Sequence, residues 1–240
     1  MSPDLHNPTE QRRLILAQNR ALLDMTRMIA DALEKINAKA KAYMVGGFVR
    51  DALRGVDSKD VDIEVYGLAA DELQKMLEKL FPRNVNLIGS SFGIFKIHFN
   101  DFECDVAIPR RESKVAIGHK GFDVVGDPSM SPIEAARRRD FTINALSADA
   151  TTGEVFDYYH GIDDLEKNIL RMVDVQTFGE DPLRVYRAIQ FVGRFGCEIE
   201  PKTFVLLQDM VARGDLETLP PERVTEEFKK LFLKSAQPSL

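Results

Sequence analysis

Asp60-Val61-Asp62-Ile63-Glu64-Val65-Tyr66 alternates acids with apolar, mostly β-branched residues, and a period of two marks an extended strand with one apolar face. The same alternation throws the three carboxylates onto the opposite face, within a few ångströms of each other. Like charges that close repel, and burying them unpaired is costly, so a bound divalent cation accounts for the pattern economically. Magnesium suits it, because that ion takes one or two carboxylates together with substrate phosphates. An edge strand with a solvated acidic face explains a lone Asp-x-Asp as well, since the motif is short.

Upstream, Val45-Gly46-Gly47-Phe48-Val49-Arg50-Asp51 runs from a strand through two glycines into a helical stretch. Backbone amides at such a start can approach phosphate oxygens, and Arg50 can add a bidentate phosphate contact. Downstream, Phe102-Glu103-Cys104-Asp105-Val106-Ala107 is the obvious source of a further carboxylate, which a two-metal phosphoryl-transfer site needs. Asp105 sits among apolar neighbours and is the choice; Glu103 and Glu64 stand as alternates.

Between residues 42 and 156 the chain reads as short strands, at Ala42–Val45, Val61–Tyr66, Val85–Ile88, Phe92–Phe99, Phe102–Ile108 and Glu154–Phe156. Helical intervals fall at Val49–Leu53 and Asp71–Leu80, and Phe92–Phe99 with Phe102–Ile108 reads as a hairpin. The expected fold is α+β, a mixed or antiparallel sheet flanked by helices, followed by an all-helical part. Helical spacing from Glu10 to Ala38 gives one long helix or two short ones; Leu183–Phe195, Lys202–Val211 and Pro221–Phe232 are helical after Gly161. The expected division is a helical extension over 1–40, a catalytic head over 41–160 and a helical neck over 161–240. Arg110 to Ser131, with three glycines and Pro128, reads as a long loop.

Composition narrows the function. With 240 residues, 44% of them hydrophobic, the chain is too apolar to remain disordered. It has no apolar run of membrane-spanning length, and Met1 to Gln18 lacks a secretory layout, so a soluble cytoplasmic protein is expected. Cys104 and Cys197 are far apart and the four histidines scattered, which disfavours zinc and disulfides. A net charge of -6 excludes coating of nucleic acid by bulk electrostatics, so any RNA contact needs a local basic patch. Arg137-Arg138-Arg139 supplies one, extended by Arg110, Arg111, Lys114 and Lys120. The triplet also suits the C-terminal end of a helix dipole.

Glu180-Asp181-Pro182-Leu183-Arg184 opens a helix with Asp181 as cap and Pro182 at the first position. That leaves Arg184 unexplained. Three residues from Asp181, it lies on the same side of the helix start. A carboxylate acceptor beside a guanidinium donor matches the Watson–Crick edges of cytosine and adenine, each an amino donor next to a ring-nitrogen acceptor.

Taken together, GGFVRDALRG, KDVDIEVYG, FECDVAIPRRE, RRRDFTINALSAD, GIDDLEKNILR and EDPLRVYRAIQFVGRFG resemble, in order, the class II tRNA nucleotidyltransferases (CCA-adding enzymes) and bacterial poly(A) polymerases of the DNA polymerase beta superfamily. The resemblance implies magnesium on Asp60 and Asp62, nucleotide contacts at Gly47, Arg50, Arg139 and Arg187, and base selection by Asp181 and Arg184. Where the family often has a further arginine on that helix, this chain has Gln190. PPERV, from Pro220, is similar to a later neck motif. Family members continue into body and tail regions that hold tRNA; this sequence stops at Leu240 without them and without an HD phosphohydrolase domain, so a weakened grip on tRNA is expected.

The implied activity is template-independent addition of C and/or A to the tRNA 3′ end (CCA addition or repair) from CTP and ATP, with two magnesium ions and release of pyrophosphate. Asp105 would bridge the ions or accept the proton. The loop from Arg110 to Ser131 is the expected movable element for switching from C to A. A poly(A) polymerase acting on other RNA ends, or a catalytically idle nucleotide- or RNA-binding relative, are the alternatives.

Overall fold

Strand β2 (Asp60–Tyr66), whose apolar side is Val61, Ile63 and Val65, lies inside a sheet and not at its edge, with Asp60 and Asp62 exposed on its acidic side. The computed structural model describes residues 3–87, 93–99, 102–114 and 122–234. They divide into two compact units, one drawn from Met1–Ser113, Asp123–Ala135 and Leu146–Tyr158, the other chiefly from Ala136–Ala145 and Tyr159–Leu240.

The first unit runs α1 (Pro8–Leu16), α2 (Arg20–Ile36), β1 (Lys41–Val45), α3 (Gly47–Leu53), β2 (Asp60–Tyr66), α4 (Ala70–Leu80), β3 (Val85–Leu87), β4 (Ile94–Phe99), β5 (Phe102–Ala107), β6 (Arg110–Lys114), β7 (Phe122–Gly126), the helix α5 (Pro132–Arg137), β8 (Ser147–Asp149) and β9 (Val155–Phe156). Seven strands form one sheet in the order β3-β4-β5-β2-β1-β8-β9. Every neighbour in it is antiparallel except β2 and β5, which run parallel.

The helical run at the N-terminus is two helices. Asn7 and Asn19 each accept a hydrogen bond from the amide two residues on, at 3.0 Å, which caps the two starts and separates them. Helix α2 packs on β1 and α4, burying Leu22, Met25, Ile29 and Leu33 almost completely. Each such side chain contributes roughly 1.5–3 kcal/mol of transfer free energy against the entropy of ordering it. On the sheet, Val61, Ile63, Val65, Cys104 and Val106 are at most 1% exposed. A one-residue slip of β2 would put its carboxylates into that core, so the burial pattern fixes the register.

Two features of this unit differ from the sequence reading. Strand β8 is absent from it, and the stretch from Arg110 to Ser131 is not a plain loop: β6 and β7 pair as a two-stranded sheet, and α5 begins just beyond. Residues 115–121, central to the expected movable element, lie outside the described residues, as do 88–92 at the start of the expected hairpin strand.

The second unit contains α6 (Gly161–Glu166), β10 (Ile169–Leu170), α7 (Val175–Phe178), α8 (Leu183–Phe195), β11 (Glu198–Ile199), α9 (Pro201–Ala212) and α10 (Pro221–Lys234). Strands β10 and β11 form a short parallel pair that the helical reading omitted. Its core joins Phe141, Phe178, Val185, Phe191, Leu207 and Met210. Phe141 meets Phe178 and Phe191 edge-on, each with ring centroids 5.5 Å apart. Among the described residues no helix is long and apolar enough to cross a membrane.

Candidate active site

The parallel pairing of β2 with β5 sets Asp62 opposite Asp105 and Asp60 opposite Glu103. In-register residues on neighbouring strands point to the same side, so these four carboxylates share the face turned away from Val61 and Cys104. Asp60 and Asp62 are exposed and Asp105 half-buried. Glu64, one of the alternates, accepts the Tyr66 hydroxyl at 2.8 Å.

Strand β4 adds cations to that face. Lys96 lies opposite Asp105 and His98 opposite Glu103. Lys96 Nζ is 3.2 Å from Glu103 Oε2 and 3.3 Å from Asp105 Oδ1, and His98 Nδ1 is 3.4 Å from Glu103 Oε1. The hydrogen bond to Glu103, with the nearby Asp105 charge, pushes Lys96 above its ordinary value despite partial desolvation. On the reverse face, burial above all, then the charges of Asp62 and Asp105, push the Cys104 thiol well up, so it remains protonated.

Among the described residues no three His, Cys, Asp or Glu side chains form a ready-made ion cluster. The face nevertheless fits magnesium, which keeps several waters, takes one or two carboxylates and draws its other oxygens from substrate phosphates. Asp60, Asp62 and Asp105 supply hard oxygens from two adjacent strands.

At the end of β1, Gly46 has φ 69° and ψ -128°, a conformation open essentially to glycine alone, and its amide donates to Leu146 O at 3.2 Å. Gly47 then starts α3; a Cβ there would lie 3.4 Å from Arg50 Nη2. Arg50 is 4% exposed, and its Nε and Nη2 donate to Asp51 Oδ1 and Oδ2, both at 2.8 Å. The arginine expected to reach out for phosphate thus lies beneath the turn, braced by its neighbour. Gly46→Ala is expected to cost about 1–3 kcal/mol of backbone strain. Gly47→Ala meets only ordinary contact and should cost less, a contrast that thermal unfolding of the two variants reads directly.

In the second unit, Asp181 precedes α8 and its Oδ1 accepts from the Leu183 amide at 3.1 Å. Its other oxygen, Oδ2, is 3.2 Å from Arg223 Nη2 on α10. Arg184 is anchored by Thr177 O at 3.0 Å and Arg138 O at 2.6 Å, over the Phe178 ring. A backbone carbonyl of the basic triplet therefore positions the guanidinium expected to read a base. Arg139 is half-buried in the segment after α5; Arg137 pairs with Asp174 at 3.0 Å.

Arg187 is tied inward. Its Nε donates to Asp140 Oδ2 at 2.7 Å, and its Nη1 is 3.8 Å from Glu227 Oε1. Asp140 also accepts from the Phe141 amide at 2.7 Å and Asn144 Nδ2 at 2.9 Å. Burial works against its charge, but Arg187 and these hydrogen bonds prevail and hold the Asp140 carboxyl below its usual range. Gln190 is 2% exposed, and neither its Nε2 nor Glu227 Oε2 has a hydrogen-bond partner among the described residues.

The patch cations are partly committed. Arg111 Nε reaches Asp127 Oδ2 at 2.5 Å, and hydrogen bonds from Ser129 first, then Arg111, bring Asp127 down to about 2. The Lys114 side chain and Lys120 fall outside the described residues.

Each unit thus assembles its own group: Asp60, Asp62, Asp105, Gly47 and Arg50 in the first, Arg139, Asp181, Arg184 and Arg187 in the second. Sequence reasoning missed Gly46, Lys96, Asp140 and Arg223. Counting back from the Phe99–Phe102 pair of the hairpin would have set Lys96 opposite Asp105.

Residues 42–171 match the family model for the poly A polymerase head domain, and residues 196–238 match that for a probable RNA and SrmB-binding site of polymerase A. The Multifunctional CCA protein of Xanthomonas campestris is 43% identical over 202 residues, 83% of this chain and 47% of that protein. In Nitrosomonas europaea the protein of that name is 38% identical over 81% of this chain and 45% of its own length. Among solved structures, the Thermotoga maritima CCA-adding enzyme complexed with tRNA aligns with a TM-score of 0.77 at 27% identity, over 94% of this chain and 50% of that one. A CCA-adding enzyme with CTP aligns with the same score and identity over 97% and 52%. The chain spans about half the length of the curated relatives it matches.

Proposed function

This chain belongs to the family of class II CCA-adding enzymes and poly(A) polymerase head domains within the nucleotidyltransferases, and from that membership we propose that it adds C and A to the 3′ end of tRNA in the cytoplasm, using CTP and ATP. The observation that carries this reading is the lateral row of Asp62 and Asp105 on adjacent parallel strands, beside Asp60 in the same sheet face. Residues 41–160 act as the catalytic head and 161–240 as the neck that reads the base, with 1–40 a helical extension.

In the reaction the RNA 3′-hydroxyl oxygen bonds to the α-phosphorus of the incoming nucleotide, the bond from that phosphorus to pyrophosphate breaks, and the hydroxyl proton leaves. Asp60, Asp62 and Asp105 would hold magnesium, which when bound lowers the hydroxyl's pKa and neutralises triphosphate charge. Asp105 would serve either as a further ion ligand or as the acceptor of the proton. Gly47 and Arg50 serve the nucleotide at the glycine turn, Arg50 by holding it from beneath through Asp51. Arg139 and Arg187 complete the nucleotide contacts.

Asp181 accepts the amino hydrogen of cytosine or adenine, and Arg184 donates to the ring nitrogen. The two carbonyls that grip Arg184 support this role, because a reader of base edges must be held still. The test uses tRNA lacking its 3′ end with magnesium and each labelled triphosphate, alone and together. Incorporation limited to completing C, C and A is the expected result; a long run of A would replace this reading with poly(A) polymerase activity, and no incorporation would end it. Asp181→Ala is expected to lose most of its preference for CTP and ATP over GTP and UTP, or to fall on all four. Unchanged selectivity would remove Asp181 from base choice.

A further inference from the structure

Lys96, Asp105 and Asp62 form one row across β4, β5 and β2. Among the described residues Asp105 Oδ1 is buried and accepts no well-aligned hydrogen bond, yet Lys96 Nζ lies 3.3 Å from it. The ammonium therefore caps that oxygen by charge. Because the Asp105 side chain is still 40% exposed, its accessible surface lies on its other atoms. The same Nζ is 3.2 Å from Glu103 Oε2, so one lysine spans two acids of the face.

We propose that Lys96 is a positioning residue for the ion site: it turns Asp105 so that one oxygen alone faces the ion, and its charge keeps the acidic face from gripping a divalent cation before a triphosphate arrives. This rests on reading Asp60, Asp62 and Asp105 as the ion's ligands. Without Lys96 the face would carry the charges of Asp60, Asp62, Glu103 and Asp105, with His98 beside Glu103, and a bare cation would bind more tightly. A unit charge about 6 Å from a divalent ion, even in water, changes the binding constant by about tenfold.

The experiment measures Mn2+ binding to the full chain without nucleotide, by the electron paramagnetic resonance signal of the free ion, with circular dichroism to verify folding. Lys96→Met and Lys96→Gln are expected to bind Mn2+ about tenfold more tightly than wild type, and Lys96→Arg, which keeps the charge, within about twofold of it. Asp62→Asn is expected to bind more weakly. If the uncharged variants bind Mn2+ no tighter than wild type while Asp62→Asn loses affinity, the Lys96 proposal is overturned and the ligand assignment stands. If Asp62→Asn binds as wild type does, or no form binds, the ligand assignment falls and this inference with it.

Discussion

Asp62→Ala is expected to lower magnesium-dependent incorporation of C into tRNA by about 10³-fold or more, while the protein unfolds within ~0.5 kcal/mol of wild type. The two halves of this expectation have separate causes. Asp62 is exposed on a strand whose other face is buried, so core packing does not depend on its carboxylate. It also stands beside Asp105 in register, and removing one of two neighbouring negative charges relieves repulsion. The proposed chemistry, by contrast, would concentrate the charge of a triphosphate on this face, where preorganised ion ligands would supply most of the stabilisation of the transition state. Asp62→Asn keeps the shape and removes the charge, so it should fall nearly as far. Incorporation of labelled CMP, followed alongside denaturation by circular dichroism, separates loss of chemistry from loss of fold. Near-normal incorporation by either variant would refute the assignment.

The largest effect on stability is expected at Asp140. Alanine there strands the Arg187 guanidinium, the Phe141 amide and Asn144 Nδ2 in a buried setting. Breaking a buried pair on one side typically costs about 3–5 kcal/mol, because the remaining charge has no compensation. Glu227, 3.8 Å from Arg187 Nη1, softens the loss without matching the 2.7 Å bond to Asp140. The same group gives a pH signature. Its carboxyl is held below the ordinary range in the folded state, so its stabilisation is complete above the unfolded value, near pH 4, and drains away as pH falls through the folded one. Asp174 and Glu200 shift in the same direction. The check is therefore a difference: the urea midpoint of wild type should fall more steeply below about pH 4 than that of Asp140→Ala. Parallel curves, or a loss under ~1 kcal/mol at neutral pH, would show that this network does not hold the unit together.

Strands β1, β2, β4 and β5 were legible in sequence because each buries one face against α-helices or core, and that burial writes a period of two into the residues. Ser147-Ala148-Asp149 carries too short a pattern, and only pairing with β1 and β9 makes it a strand. In the ribbon of β6 and β7, Arg111 and Val125 are both exposed, and at these described positions no apolar alternation is there to read. At the site, Asp60 and Asp62 stood out because acids interrupt an apolar run. Which glycine of Gly46-Gly47 takes positive φ is a backbone property with no residue signature. Arg223 on Asp181 depends on partners brought together by tertiary structure, so spacing alone could not find it, whereas Lys96 on Asp105 follows from the hairpin register.

The parallel junction within the seven-stranded sheet, β2 against β5, has a consequence for how the protein matures. Asp62 and Asp105 meet only after β3 and β4 have been laid down between them and the chain has closed on itself. Loop closure over that distance is an entropic cost met before any contact repays it. The row of Asp62 and Asp105 therefore depends on a long-range pairing, and a molecule that misplaces β5 has no second carboxylate beside Asp62.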